Sequence, residues 1–210
     1  MKKFLILFIL LAHHTISIMG QGDDLIHNVH NRSTVSLNGD WNYIIDPYEN
    51  GYYNYRYEPF DQQETPWASA FFMDSKPKDS TDLIEYSFAG MDHLKVPGDW
   101  NSQQAELLYY EGTVWYKRSF NYDLADSNNR LFVYFEASNY KTEVYLNGTK
   151  LGSHLGGFTP FNFEITNLVK ERDNFLIVKV DNKRLKEGVP TLNTDWWNYG
   201  GLTRGVKLVE

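Results

Sequence analysis

The clearest pattern in this chain of 210 residues is alternation with a period of two. Leu131-Phe132-Val133-Tyr134-Phe135 and Glu143-Val144-Tyr145-Leu146 alternate cleanly, as side chains do when they point to opposite faces of a sheet. Runs rich in β-branched and aromatic residues predict strands at Trp41–Ile45, Leu94–Pro97, Thr113–Phe120, Arg130–Glu136 and Thr142–Leu146. Further strands are predicted at Thr149–Gly152, Phe161–Ile165, Phe175–Val180 and Val206–Glu210, with one helical turn at Asn167–Arg172. Asn38-Gly39 is a turn signal, and Asn147-Gly148 closes a tight hairpin. Many short strands and almost no helical period predict an all-β fold, a jelly-roll-like β-sandwich of the galactose-binding-domain-like kind.

Three stretches break the pattern. Residues 1–20 combine a basic start (Lys2, Lys3), the apolar run Phe4–Ala12 and small Gly20, which is the layout of a secretory signal peptide. The apolar run is too short to cross a bilayer, so no membrane association is expected once the signal is removed. Residues 21–36 are polar and unpatterned and are expected to form a surface leader, leaving 37–210 as one domain. Residues 46–92 are irregular and crowded with Tyr48, Tyr52, Tyr53, Tyr55, Tyr57 and Phe60. They fit either a sugar-stacking platform or, as the preferred expectation, an aromatic loop folded onto the domain's flank or onto a neighbour.

Composition narrows the function. The formal net charge of −7 becomes −9 without Lys2 and Lys3, which disfavours nucleic acid and anionic membranes as partners. There is no cysteine, hence no disulfide and no thiolate chemistry, which fits an exported protein of the bacterial periplasm or exterior. No phosphate-loop, dinucleotide, HExxH or GxSxG motif occurs, so no cofactor is expected. His27 and His30 lack an acidic third ligand, and no metal site is expected; His93 and His154 read as solvated loop residues. Asn31 and Asn147 each stand in a glycosylation sequon, although the hairpin already accounts for Asn147.

Candidate chemistry concentrates in Asp195-Trp196-Trp197-Asn198-Tyr199-Gly200-Gly201-Leu202-Thr203-Arg204-Gly205-Val206. An acid, an amide and aromatic faces beside a glycine pair suit a polyhydroxylated ring, but they equally suit a strand-entry turn with core tryptophans. Other motifs decide between these. Leu37-Asn38-Gly39-Asp40-Trp41, Val96-Pro97-Gly98-Asp99-Trp100, Tyr110–Arg118 (YEGTVWYKR), Val144–Gly148, Gly156–Phe161 and Val178–Asn182 precede it in order. Together the set resembles the N-terminal sandwich of family 2 glycoside hydrolases, the β-glucuronidases and β-galactosidases. Gly156–Phe161 and Asn198–Gly201 lean the resemblance towards the glucuronidases.

The resemblance implies a retaining glycosidase in which an immunoglobulin-like domain and a catalytic (β/α)8 barrel follow the sandwich. The barrel, in the same or another chain, carries the catalytic glutamates, so no catalytic residue is expected here. Asp195 is the implied substrate-positioning residue, an ionised acceptor for sugar hydroxyls, with Trp196, Trp197 and Asn198 beside it. One tryptophan is expected in the core and the other at the cleft. Tyr199 and Arg204 are assigned to bracing the loop, and Trp115, Tyr145, Phe158, Phe161 and Phe175 to the core or a packing face. The expected function is sugar binding for an exported β-glycosidase that acts on terminal β-linked sugars. A free-standing carbohydrate-binding protein and a subunit complementing a separate catalytic chain remain the alternatives.

Overall fold

The computed structural model describes residues 25–64, 66, 69–82, 84, 86–123 and 129–210. The expected signal segment lies outside the described residues. Ten strands form two antiparallel sheets. In chain order they are β1 (Thr34–Ser36), β2 (Gly39–Asp46), β3 (His93–Val96), β4 (Thr113–Phe120) and β5 (Phe132–Phe135). Then come β6 (Lys141–Leu146), β7 (Thr149–Leu155), β8 (Phe161–Glu164), β9 (Asn174–Asp181) and β10 (Val206–Val209). The smaller sheet runs β1-β10-β5-β8 and the larger β3-β2-β4-β9-β6-β7. Among the described residues the only helical pieces are single turns of 3-10 helix.

Alternation explains the packing. Tyr43 of β2, Val114 and Tyr116 of β4, Val144 and Leu146 of β6, and Val178 and Val180 of β9 point to the inter-sheet core. There they meet Val133, Phe135, Phe161 and Leu208 from the smaller sheet. Their neighbours Ile44, Trp115, Tyr145 and Ile177 point to the opposite face of the larger sheet. That face would be wet in a simple sandwich, yet Trp115, Tyr145 and Ile177 are wholly buried. The cover comes from the long insertion between β2 and β3, which lays Tyr52, Phe60, Phe71, Phe72 and Phe88 across it. Phe72 stacks on Tyr145 at 4.5 Å between ring centroids, and Phe71 meets Trp115 edge-on at 5.7 Å. The preferred expectation for segment 46–92 thus holds for its inner half. Its burial also explains why the central strands β4, β6 and β9 are apolar on both faces.

The polar leader departs from expectation. Val29 is buried, Ile26 donates its backbone N–H to Asn162 Oδ1 at 2.9 Å, and Thr34–Ser36 pair with β10 as an edge strand. Periodicity missed β1 because three residues, all exposed, carry no alternation. His93 and His154 lie in strands β3 and β7, not in loops, and His154 stacks on Phe161 at 4.1 Å. Burial pulls the His154 pKa below the usual imidazole value.

Candidate sugar-binding end of the sandwich

Strand register places the functional loops together. Asp46 at the end of β2 pairs with Thr113 at the start of β4, and Thr113 pairs with Asp181 at the end of β9. Lys141 at the start of β6 pairs with Asp181 and with Leu155 at the end of β7. The loops 47–60, 136–140, 156–160 and 182–205 therefore meet at one end of the larger sheet, while segment 97–112 leaves β3 at the other end, where Val96 pairs with Gly39, and crosses to this end to enter β4.

The segment Asp195–Val206 is built into that end by its glycines. A Cβ on Gly200 would stand 2.0 Å from Trp100 Cζ2, so only glycine lets the backbone cross the buried indole. Gly201 adopts φ +120°, outside the usual range of L side chains. Each backbone group then finds a partner from the upstream motifs. Trp100 N–H donates to Gly200 O at 3.0 Å, Gly98 N–H to Leu202 O at 2.9 Å, and Gly200 N–H to Asn101 Oδ1 at 2.9 Å. Gly201 and Asn139 exchange two backbone hydrogen bonds at 2.9 and 3.0 Å. The motifs Val96–Trp100 and Asn198–Arg204 are thus two sides of one interlocked turn.

Two further clamps hold the exposed tip. Asn198 Nδ2 donates to Asn182 O at 2.7 Å, and Asn182 Nδ2 returns a bond to Asn198 O at 3.1 Å. Arg184 donates to Thr194 O at 2.6 Å and also to Trp196 O. The Asn198 side chain is therefore largely buried and its Nδ2 is spent on backbone, while the residue still lines the hollows at this end. Arg184 braces the tip in addition to Arg204. Arg204 is exposed and makes one long bond, to Phe158 O at 3.4 Å. Sequence reasoning missed Arg184 because a lone arginine beyond a strand carries no periodic signal.

Asp195 is exposed on this clamped tip and makes no hydrogen bond or ion pair with any described residue. Both tryptophans are outside the core, Trp196 at 65% and Trp197 at 43% exposure, which corrects the expectation that one would be buried. The cores are already filled by Trp41, Trp100 and Trp115, and Trp196 and Trp197 sit on a loop beyond the strand ends. Phe158, assigned to the core or a packing face, is 56% exposed on the loop after β7, which places it outside the core. Trp115, Tyr145 and Phe161 are buried, and Phe175 is half-buried, as expected.

These side chains shape two hollows. A groove of about 560 Å³ lies between Phe158, Pro190, Trp196, Trp197, Tyr199 and Arg204, with Asn139 at its lining. Asn139 Oδ1 is buried with no hydrogen-bond partner among the described residues. On the other side of the tryptophans, a hollow of about 290 Å³ is lined by Asp195, Thr194, Arg184, Glu111, Tyr109 and Trp197. The Tyr109 and Trp197 rings stand 5.3 Å apart. Mostly aromatic walls with a few convergent polar groups are the usual composition of a small-molecule site. No group of three or more metal-ligating side chains occurs among the described residues.

Fold and site together define the class: an antiparallel β-sandwich that offers a rigid, aromatic, acid-bearing loop at one end. The chain belongs to the glycosyl hydrolases family 2, sugar binding domain, whose sequence model matches residues 34–210. It is 32% identical over 155 residues to a β-glucuronidase of Formosa agariphila, covering 65% of this chain and 16% of that protein. It is 33% identical over 102 residues to a β-galactosidase of Thermoanaerobacter pseudethanolicus, covering 47% and 14%. Among solved structures, a β-glucuronidase from an uncultured Clostridium species superposes with a TM-score of 0.65 at 28% identity. That match covers 85% of this chain and 29% of the other. The chain spans less than a third of the length of these relatives.

Proposed function

We propose that this domain serves an exported β-glycosidase that removes terminal β-linked sugars from glycans, and that the Asp195 loop positions the substrate. The observation that carries the reading is the unpaired carboxylate of Asp195 on a tip clamped by Arg184 and by the Asn182–Asn198 exchange. A free carboxylate accepts two hydroxyl hydrogen bonds at once, and a rigid support spares the entropy of ordering it around the sugar. Trp196 and Trp197 add apolar faces for the C–H surface of the ring. The catalytic partner in this reading is the family's (β/α)8 barrel, whose two glutamates perform the retaining hydrolysis. Asp195 is a positioning residue and never the acid that cleaves the bond. The exposed aromatic groove beside it supports a neighbouring domain packing at this end.

The test is kinetic, on the protein as its native gene produces it, with p-nitrophenyl β-D-glucuronide and β-D-galactoside. Asp195→Ala is expected to lower kcat/KM by roughly 10- to 150-fold, the equivalent of about 1.5–3 kcal/mol for a hydrogen bond to a charged group. The melting temperature should not change. Unchanged kinetics would remove the positioning role. Export is checked separately by fractionation, with a mature N-terminus expected close to Gly20.

A further inference from the structure

A second groove, on the outer half of the tyrosine-rich insertion, is not used by the Asp195 site. It encloses about 770 Å³ and is lined by Tyr48, Glu49, Asn50, Tyr53, Tyr55 and Tyr57, among others. Tyr48, Tyr55 and Tyr57 are 79–80% exposed, far more than the core-facing Tyr52 and Phe60 a few positions away. None of the four tyrosine hydroxyls hydrogen-bonds to a described residue.

The platform beneath is rigid. Asp46 accepts the backbone N–H groups of Asn50 and Gly51 at 2.8 and 3.0 Å and the Trp115 indole at 2.9 Å. Asn54 Oδ1 accepts from Arg56 and Glu58 N–H at 2.8 and 3.0 Å, and Tyr53 bridges to Pro59. The Tyr53 ring stands edge-on to buried Tyr52 at 4.6 Å. Glu49, the charged group in the lining, is neutralised by Lys179 at 2.8 Å and Lys183 at 3.8 Å. The groove thus offers aromatic faces, free hydroxyls and the Asn50 amide, with the Arg56 guanidinium 5.2 Å from the centre of the Tyr55 ring. That chemistry complements a polyol chain, whose C–H faces pack on aromatic rings and whose hydroxyls pair with phenol and amide groups.

We propose that this groove is a second glycan-binding site, which holds a stretch of neutral oligosaccharide against Tyr48, Tyr53, Tyr55 and Tyr57. It stands at the same end of the larger sheet as the Asp195 loop, and the two are joined through Glu49, Lys183 and the neighbouring Arg184. The inference extends the sugar-binding reading of the domain but does not depend on Asp195.

Calorimetric titration of the full chain with cellohexaose, xylohexaose, laminarihexaose, mannohexaose and maltohexaose tests it. At least one hexasaccharide should bind with a Kd near or below about 1 mM. The variant Tyr48→Ala/Tyr55→Ala/Tyr57→Asn should weaken that binding by about tenfold or more, and Tyr48→Ala alone by less. Asparagine is chosen at Tyr57 because that residue sits at φ 58°, in the left-handed region. All variants should melt with the parent. Binding of none of the five would overturn the proposal. Binding that survives the tyrosine variant unchanged would overturn it as well, while leaving the Asp195 reading, which the kinetic test addresses, intact.

Discussion

Gly200 and Asn182 show how single positions commit the site. Gly200→Ala places a methyl where Trp100 already is, with backbone on one side and a wholly buried indole on the other. Overpacking of this kind typically costs about 1–3 kcal/mol, and urea unfolding should show a loss in that range. Asn182 accepts Gly112 N–H at 2.8 Å and donates to Asn198 O, so its amide joins the entry of β4 to the candidate loop. Asn182→Ala leaves a buried N–H without its acceptor, at a cost of about 1–3 kcal/mol, and should raise hydrogen exchange at Gly112. The glycine pair and Asp195 were legible in the sequence. The bracing roles were not, because an asparagine or arginine gains its partner only when distant strands align. Arg184, Asn182 and Asn139 are the cases in point.

At the scale of elements, the hairpin between β6 and β7 was read directly from Asn147-Gly148, whose φ values of 52° and 84° match a left-handed two-residue turn. What the pattern did not show is that Asn147 also ties three segments. Its Nδ2 donates to Leu168 O and Asn174 Oδ1, each at 3.0 Å, and its Oδ1 accepts Phe175 N–H at 3.0 Å. Both Nδ2 hydrogens are engaged, so mass spectrometry of material from a glycosylating host should find Asn147 unmodified. Asn147→Ala should destabilise by about 1–3 kcal/mol.

The insertion over the larger sheet makes a pH prediction. Burial opposes the charge on Glu49, but Lys179 and Lys183 outweigh it and hold the carboxyl below its usual pKa. Burial likewise opposes the charge on Lys179, and Glu143 and Glu49 outweigh it and raise its pKa. A depressed carboxyl adds stability above its unfolded pKa and loses it as pH falls through the folded value. A raised amine adds stability below its unfolded pKa and loses it as pH rises through the folded value. Stability should therefore be flat across neutral pH, falling on the acid side below the ordinary glutamate range and on the alkaline side above the ordinary lysine range. Glu49→Gln should blunt the acid-side fall in a series of thermal melts.

For the whole molecule, stability and recognition occupy different regions. The core between the sheets and the covered outer face hold the fold, while the candidate sites stand on loops beyond the strand ends. Leu146→Ala, wholly buried in the inter-sheet core, should cost about 2–5 kcal/mol in chemical unfolding. Trp196→Ala/Trp197→Ala, on the exposed tip, should stay within about 0.5 kcal/mol per substitution of the parent. The sequence by itself determined nine of the ten strands, the tight turns, the sandwich class, the family and the position of the acid-bearing loop. Those features rest on local periodicity, on turn chemistry and on motifs in fixed order. Tertiary structure alone decided that Trp196, Trp197 and Phe158 face outward, that Asn198 is buried in a clasp, and that the leader adds an edge strand. It also divided the tyrosine insertion into a buried inner layer and an open outer groove. Each of those outcomes depends on which distant surfaces meet in the folded molecule, and alternation along one chain does not encode that.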